Sequence, residues 1–285
     1  MHLTLRAGTP VDAEVCGRIC YEAFKTINEA HQFPPDLPSV EVGIGLMSML
    51  LNHPGFYKVV AEVDGRAVGS NFLDERSTIS GIGPITVDPS VQNLQIGRRL
   101  MRDVLERTSK RGAPGVRLMQ SAFHSRSLCL YAKLGFESRE PISVFQGPAL
   151  GIAIDGIQVR PAEEHDLAAC NQLCRKVHGH DRSGELKDSI QHETATVAER
   201  NGRLTGYTSS MAYFGHTVGE TNDDVKALIA SAKEFGGPGI LVPTRNGELF
   251  RWCLERGLKV VYPMTLMTIG LYNEPAGAWM PSVLY

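Results

Sequence analysis

The sequence predicts an α/β (α+β) chain made of two tandem copies of one αββ…αβ unit. Three internal echoes carry that reading. Leu5 to Cys20, LRAGTPVDAEVCGRIC, returns as Val159 to Cys174, VRPAEEHDLAACNQLC, with Arg6/Arg160, Asp12/Asp166, Cys16/Cys170 and Cys20/Cys174 at one spacing. Val60 to Gly69, VAEVDGRAVG, returns as Val197 to Gly206, VAERNGRLTG. Leu130 to Phe136, LYAKLGF, is answered by WCLERGL at Trp252 to Leu258. Duplication explains all three, in the same order, more economically than chance, and a repeat of this size sets the architecture.

The first echo reads as a strand, a short turn with an Asp near a helix start, and an amphipathic helix. The second reads as a β-hairpin, because Asp64-Gly65 and Asn201-Gly202 tolerate the positive φ angles of a two-residue turn. Between opening helix and hairpin the first copy carries a longer insert, Ile27 to Leu51, apolar at Phe33, Leu37, Leu46, Met47 and Met49 and acidic at Glu29, Asp36 and Glu41. The boundary is expected between Glu140 and Gly156, where EPISVFQGPALGIAIDG carries two Pro and three Gly. That gives units of 1–147 and 148–285. The run from Val260 onward offers one or two late strands, and its Pro- and aromatic-rich end is placed to cover a cleft between the units.

At 285 residues each unit can bury its own core. A net charge of −2 gives no footprint for nucleic acid or an anionic membrane. No apolar run approaches the roughly 20 residues that span a bilayer, and the N-terminus lacks a signal-peptide core. A cytoplasmic location is the expectation. The six cysteines are too sparse for a disulfide framework. Cys16/Cys20 and Cys170/Cys174 lie four apart, at the spacing of a buried helix face, without metal-ligand spacing. No metal is expected.

The stretch ITVDPSVQNLQIGRRLM, Ile85 to Met101, holds the chemistry. A strand end at Ile85 and Val87 runs into a polar loop and then a helix with Leu100, Met101, Val104 and Leu105 at helical spacing. Such a turn presents backbone N–H groups and a positive dipole end to an anion. Gly97 allows close approach, and Arg98 and Arg99 put cations in a first turn where they disfavour the helix itself. The physical reading is a phosphate or pyrophosphate cradle. Downstream, SRSLCLYAKLGF at Ser125 to Phe136 reads as a helix that Gly135 ends in a left-handed conformation.

These residues resemble the acetyl-CoA loop of the GNAT N-acetyltransferases, roughly V-x-P-x-x-[QR]-x-x-G-x-[GA]-x-x-L. Val87, Pro89, Gln92, Gly97 and Leu100 fall on its positions. Gln95 stands where the family usually has its first glycine, a change that either weakens CoA binding or is absorbed by a negative φ. The second motif is similar to the family's N-x-x-A-x-x-L-Y-x-x-x-G-F, with Leu130, Tyr131, Gly135 and Phe136 matching, His124 at the Asn position and Ser127 at the Ala position. The resemblance implies in each copy a mixed, mostly antiparallel sheet flanked by helices. It implies acetyl-CoA as co-substrate, contacted by Ile85, Thr86, Val87, Gln92, Asn93, Leu94, Gln95, Ile96, Gly97, Arg98 and His124, and Tyr131 as the acid that protonates the leaving thiolate. The acceptor is a small-molecule or peptide amine, with a homodimer among the expectations, and by position the insert would line the acceptor site.

The strand Thr78 to Val87 has no carboxylate to serve as base, so Asp74 and Glu75 at the previous strand end, and His124, are the candidates. In the second copy, GETNDDVKALIASA offers no such loop. Asp223 and Asp224 sit in the first helical turn, opposing a phosphate, and Cys253 takes the Tyr131 position. That copy is expected to keep the scaffold and bind no CoA. Two competing readings are a non-catalytic acyl-CoA sensor and an interaction scaffold in which both copies are relics.

Overall fold

The computed structural model describes residues 2–91 and 94–284. Among these the first half runs β1 (Leu3–Ala7), α1 (Ala13–Ala30), α2 (Val40–Asn52), β2 (Phe56–Val63), β3 (Arg66–Asp74), β4 (Ser80–Ile82), β5 (Thr86–Val87), α3 (Ile96–Arg111), β6 (Gly115–Ser121), α4 (Ser125–Lys133) and β7 (Glu137–Gln146). The second runs β8 (Gln158–Pro161), α5 (Leu167–His178), α6 (Ser183–Gln191), β9 (Thr196–Arg200), β10 (Arg203–Thr208), β11 (Thr217–Gly219), α7 (Asn222–Ser231), β12 (Ile240–Pro243), α8 (Gly247–Glu255), β13 (Lys259–Gly270) and β14 (Ala278–Met280). The larger sheet is mixed and mostly antiparallel, the smaller antiparallel, both flanked by helices, and among the described residues no helix is long and apolar enough to cross a membrane.

The repeat is built from the same local physics twice. Arg6 grips both oxygens of Asp12 at 2.7 and 2.8 Å and reaches Glu62 at 2.7 Å. Arg160 does the same to Asp166 at 2.7 and 2.8 Å and reaches Glu199. Each Asp also accepts the backbone N–H three residues before it (Thr9, Glu163), so one carboxylate closes the turn and ties the first strand to the helix start. Cys16, Cys20, Cys170 and Cys174 are buried and unpaired as thiols in the helix cores, and the described residues contain no metal-ligand cluster. Both hairpin turns place two residues at positive φ: Asp64 and Gly65 at 50° and 82°, Asn201 and Gly202 at 52° and 71°.

The two halves share one sheet. Its strand order is β1-β2-β3-β4-β6-β13-β7-β12, so β13 of the second half lies between β6 and β7 of the first, and β7 lies between β13 and β12. The exchange is reciprocal. Counted from the Gly135/Gly257 echo, Ile142 and Met264 are equivalent positions, and they face each other across the β7–β13 ladder. Met264 pairs with Ser121 of β6 as Ile142 pairs with Pro243 of β12. A local two-fold therefore passes through this pair, each half giving its long last strand to the other. Glu140 to Gln146 belongs to β7 rather than to a linker, and the connection between halves runs through 147–157. The remaining second-half strands form a five-stranded sheet, β14-β11-β10-β9-β8.

The large sheet carries helices on both faces, and alternation of side chains sorts them. Val59, Ala61 and Leu118 pack with Leu100, Met101 and Val104 of α3 and Tyr131 of α4. On the other face Val60 and Phe72 pack with Cys16 and Cys20 of α1 and with Met47, Leu50 and Leu51 of α2.

Candidate active site

The ladder between β4 and β6 runs in parallel from Ser80↔Val116 to Ile82↔Leu118 and stops there. Gly83, at φ 144°, and Pro84, which has no N–H to donate, turn the chain away. When it resumes as β5, it pairs with β3 through Gly69↔Val87 and Ser70↔Thr86. β6 continues to Ser121 paired with β13 on its other side. The sheet is thus split open between β5 and β6. A cavity of about 890 Å³ passes through the opening, lined by α3 and α4 on one face and by α1, the insert and α2 on the other.

Of the residues singled out in the sequence, Ile85, Thr86, Val87, Gln95, Ile96, Gly97, Arg98, His124 and Tyr131 line this cavity together. Leu94 does not, and is exposed in the turn before α3. Gln92 and Asn93 lie outside the described residues. Asp74 and Glu75 are not brought to the site either. Asp74 is clamped by Arg76 at 2.6 and 2.9 Å, and Glu75 by Arg107 at 2.7 and 2.9 Å. Arg99 turns away to donate to the Leu3 carbonyl at 2.8 Å, which leaves Arg98 as the α3 arginine on the cavity.

Gln95 precedes α3 at φ 61° and ψ 14°, in the left-handed region. It does not take the negative φ offered as one alternative. The glutamine holds the backbone shape that a glycine adopts freely, at a conformational cost of about 1–2 kcal/mol. The direction of the N–H groups at the helix start is set by that shape. At Gly97 a Cβ would meet Leu130 at 3.6 Å and Val87 at 3.9 Å, ordinary contacts. The fold does not require glycine here.

Tyr131 lies on α4, which Gly135 ends at φ 97°, with Phe136 N–H donating back to the Tyr131 carbonyl at 3.1 Å. The ring packs edge-on to Phe136, 6.0 Å between centroids. Burial pushes the phenol well above its ordinary range, so it stays protonated as a proton donor. His124, at the N-cap of α4, has its pKa lowered by burial and by Arg126 and His31, so its imidazole is neutral near pH 7 and accepts a proton. On either side of the split, Thr86 Oγ1 and Gln120 Oε1 are buried without a hydrogen-bond partner among the described residues. Buried polar atoms normally find partners. Both residues line the cavity, but these two atoms lie below its surface.

Of the acidic residues in the insert that by position would line the acceptor site, the structure brings Asp36 to the cavity. Asp36 accepts from Asn28 Nδ2 at 2.9 Å, and burial pushes its carboxyl up. Glu29 and Glu41 are not among the lining residues.

Among the described residues the second half has no equivalent opening. β14 pairs with β11 through Thr217↔Met280, Val218↔Trp279 and Gly219↔Ala278, occupying the side of β11 that corresponds to the split. The α7 N-terminus is capped by its own residues. Asp224 accepts from Thr221 N–H at 2.9 Å and from the Thr221 and Thr205 hydroxyls. Cys253 is buried with its thiol pushed up to about 12 by desolvation.

The first half thus brings together a splayed sheet, a loop-to-helix turn and a tyrosine on the following helix. Residues 54–138 match the acetyltransferase (GNAT) domain family, and the chain carries that domain. It is 26% identical over 193 residues, 63% of this chain, to the uncharacterised N-acetyltransferase YitH of Bacillus subtilis, and covers 66% of that protein, just under two thirds of its length. Among solved structures, a presumed acetyltransferase from Pyrococcus horikoshii aligns over 97% of this chain and 94% of its own, with a TM-score of 0.72 at 19% identity. A tandem GNAT protein from the clavulanic acid biosynthesis pathway aligns over 94% of this chain and 98% of its own, with a TM-score of 0.57 at 13% identity. These likenesses establish the fold across nearly the whole chain.

Proposed function

We propose that this chain is a tandem GNAT N-acetyltransferase that moves an acetyl group from acetyl-CoA to a primary amine by direct attack, with Tyr131 as general acid. The first half binds the co-substrate. The second half is a degenerate copy that binds none, a reading supported by β14 in place of the split and by the carboxylate cap on α7. The observation that carries the proposal is the split sheet, with the start of α3 and Tyr131 of α4 among the residues lining the cavity that passes through it.

Backbone groups of Ile85 to Val87 hold the arm, and Arg98 and the N–H groups of Ile96 to Arg98 hold the pyrophosphate. His124, neutral, takes the proton of the incoming amine directly or through one water. As the C–N bond forms and the C–S bond breaks, Tyr131 gives its proton to the departing thiolate, so no free thiolate accumulates in an apolar site. Positioning supplies the remainder of the acceleration.

The test is release of free thiol from acetyl-CoA in the presence of amines, alongside calorimetric titration with acetyl-CoA. One site per chain is expected. Tyr131→Phe should lower kcat by roughly 100-fold or more with acetyl-CoA affinity unchanged. Two sites would remove the degenerate-copy reading, and an unchanged kcat would remove Tyr131 as the acid.

A further inference from the structure

Charge is unevenly placed along the cavity. Arg98 and Arg126 line it from α3 and α4, while Asp36, across the sheet in the insert, is the one acidic side chain among the described lining residues. Asn28 is a hydrogen-bond donor to its carboxylate, and none of the salt bridges among the described residues reaches it. Asn28 is itself fully buried and pinned by a second bond to the Pro34 carbonyl at 2.9 Å, so the carboxylate is held in place. A desolvated carboxylate is costly, and a cationic ligand group facing Asp36 would offset that cost. Around it the walls are apolar. Phe24, Ile27 and Leu46 come from the first half, and Tyr213, Phe214 and Leu284 from the second.

We infer that the acceptor is a small cationic amine with an apolar body, its ammonium facing Asp36 and its body held between α1–α2 and the second-half segments at Tyr213–Phe214 and Val283–Leu284. This rests on the transferase reading above and adds to it the substrate class and a task for the degenerate half. A peptide acceptor would bring backbone N–H and C=O groups against apolar side chains that cannot pair with them. An amino acid would bring its own carboxylate against Asp36. An amine that carries only its ammonium and a hydrocarbon or aromatic body meets neither objection.

The experiment measures acetyl transfer by the full chain to phenethylamine and tryptamine, to phenylalanine and tryptophan, and to a lysine-containing peptide. Acetyl-CoA binding is followed separately by calorimetry. The amines are expected to exceed their amino-acid counterparts at least tenfold in kcat/KM. Asp36→Asn should raise the amine KM at least tenfold and leave acetyl-CoA affinity unchanged. The unmutated panel tests the charge rule without any variant. Better turnover of the amino acids or the peptide, an unaltered KM in Asp36→Asn, or acetyl-CoA binding with none of the amines acetylated would overturn the inference. Failure to bind acetyl-CoA at all would instead count against the transferase reading.

Discussion

Replacing Gln95 by glycine separates what the backbone does at the cradle from what the side chain does. Gln95 sits at φ 61° and ψ 14°, makes no side-chain cap to α3, and lines the cavity. Relief of the left-handed conformation contributes about 1–2 kcal/mol. Against this, glycine loses more chain entropy on folding, about 0.5–1 kcal/mol. The balance is a net stabilisation of about 0.5 kcal/mol. Gln95→Ala keeps the strain and should differ little from the parent, whereas Gln95→Val adds a β-branched side chain to a conformation that resists it and should cost more than about 1 kcal/mol. The assay is urea unfolding read as a change in midpoint at constant slope, so that compactness is seen to be unchanged. Because the N–H directions depend on φ and ψ and not on the side chain, acetyl-CoA affinity in Gln95→Gly should be retained or improved. A Gln95→Gly protein destabilised by more than about 1 kcal/mol, or one that has lost acetyl-CoA, would refute the reasoning and give the glutamine side chain an essential contact.

At Gly97 the reverse is expected. The site admits a Cβ at ordinary contact distances, and a carboxylate in a first helical turn favours the helix. Gly97→Asp should therefore fold normally and lose acetyl-CoA affinity by roughly 100-fold or more, since a charge would face the pyrophosphate; a folded variant with unchanged affinity by calorimetry would remove the cradle assignment. Arg6 holds the Asp12 carboxyl down to about 2, and Arg160 holds Asp166 below its ordinary value. Both pairs stabilise the fold above the unfolded carboxylate range near pH 4 and lose that contribution as pH falls toward about 2. Asp12→Asn should lower stability at pH 7 by about 1 kcal/mol and flatten the acid limb of a pH-stability curve. A fragment of residues 1–157 lacks β13, which leaves β6 and β7 with open edges. Its β7 can pair with β7 of a second copy, because β7 and β13 are equivalent about the Ile142/Met264 axis. Light scattering should find a dimer or aggregate, and a stable monomer that binds acetyl-CoA would show β13 to be dispensable.

Local rules made much of this protein legible from residue order. Asp-Gly and Asn-Gly turns specify hairpins through their tolerance of positive φ, and the loop-to-helix turn at Gly97 and the tyrosine helix ending at Gly135 were readable because helix ends are built from neighbouring residues. The Arg6/Asp12 and Arg160/Asp166 echoes anticipated real ion pairs, since each partner lies six residues from the other. What lay beyond reach depended on segments distant in sequence. Asp74 and Glu75 looked available until Arg76 and Arg107 took them. Asp36 was one of three acids in an insert placed at the acceptor site by position, and packing singled it out by setting it, and not Glu29 or Glu41, on the cavity. The exchange of β7 and β13 was hidden for a different reason. Both strands pair well on either side, and alternation alone cannot say whose sheet a strand completes. Residue order supplied the repeated unit, its turns and the loop that faces the co-substrate. Tertiary packing decided which split stayed open and which was filled by β14, because an opening in a sheet depends on the neighbour that a distant strand finds.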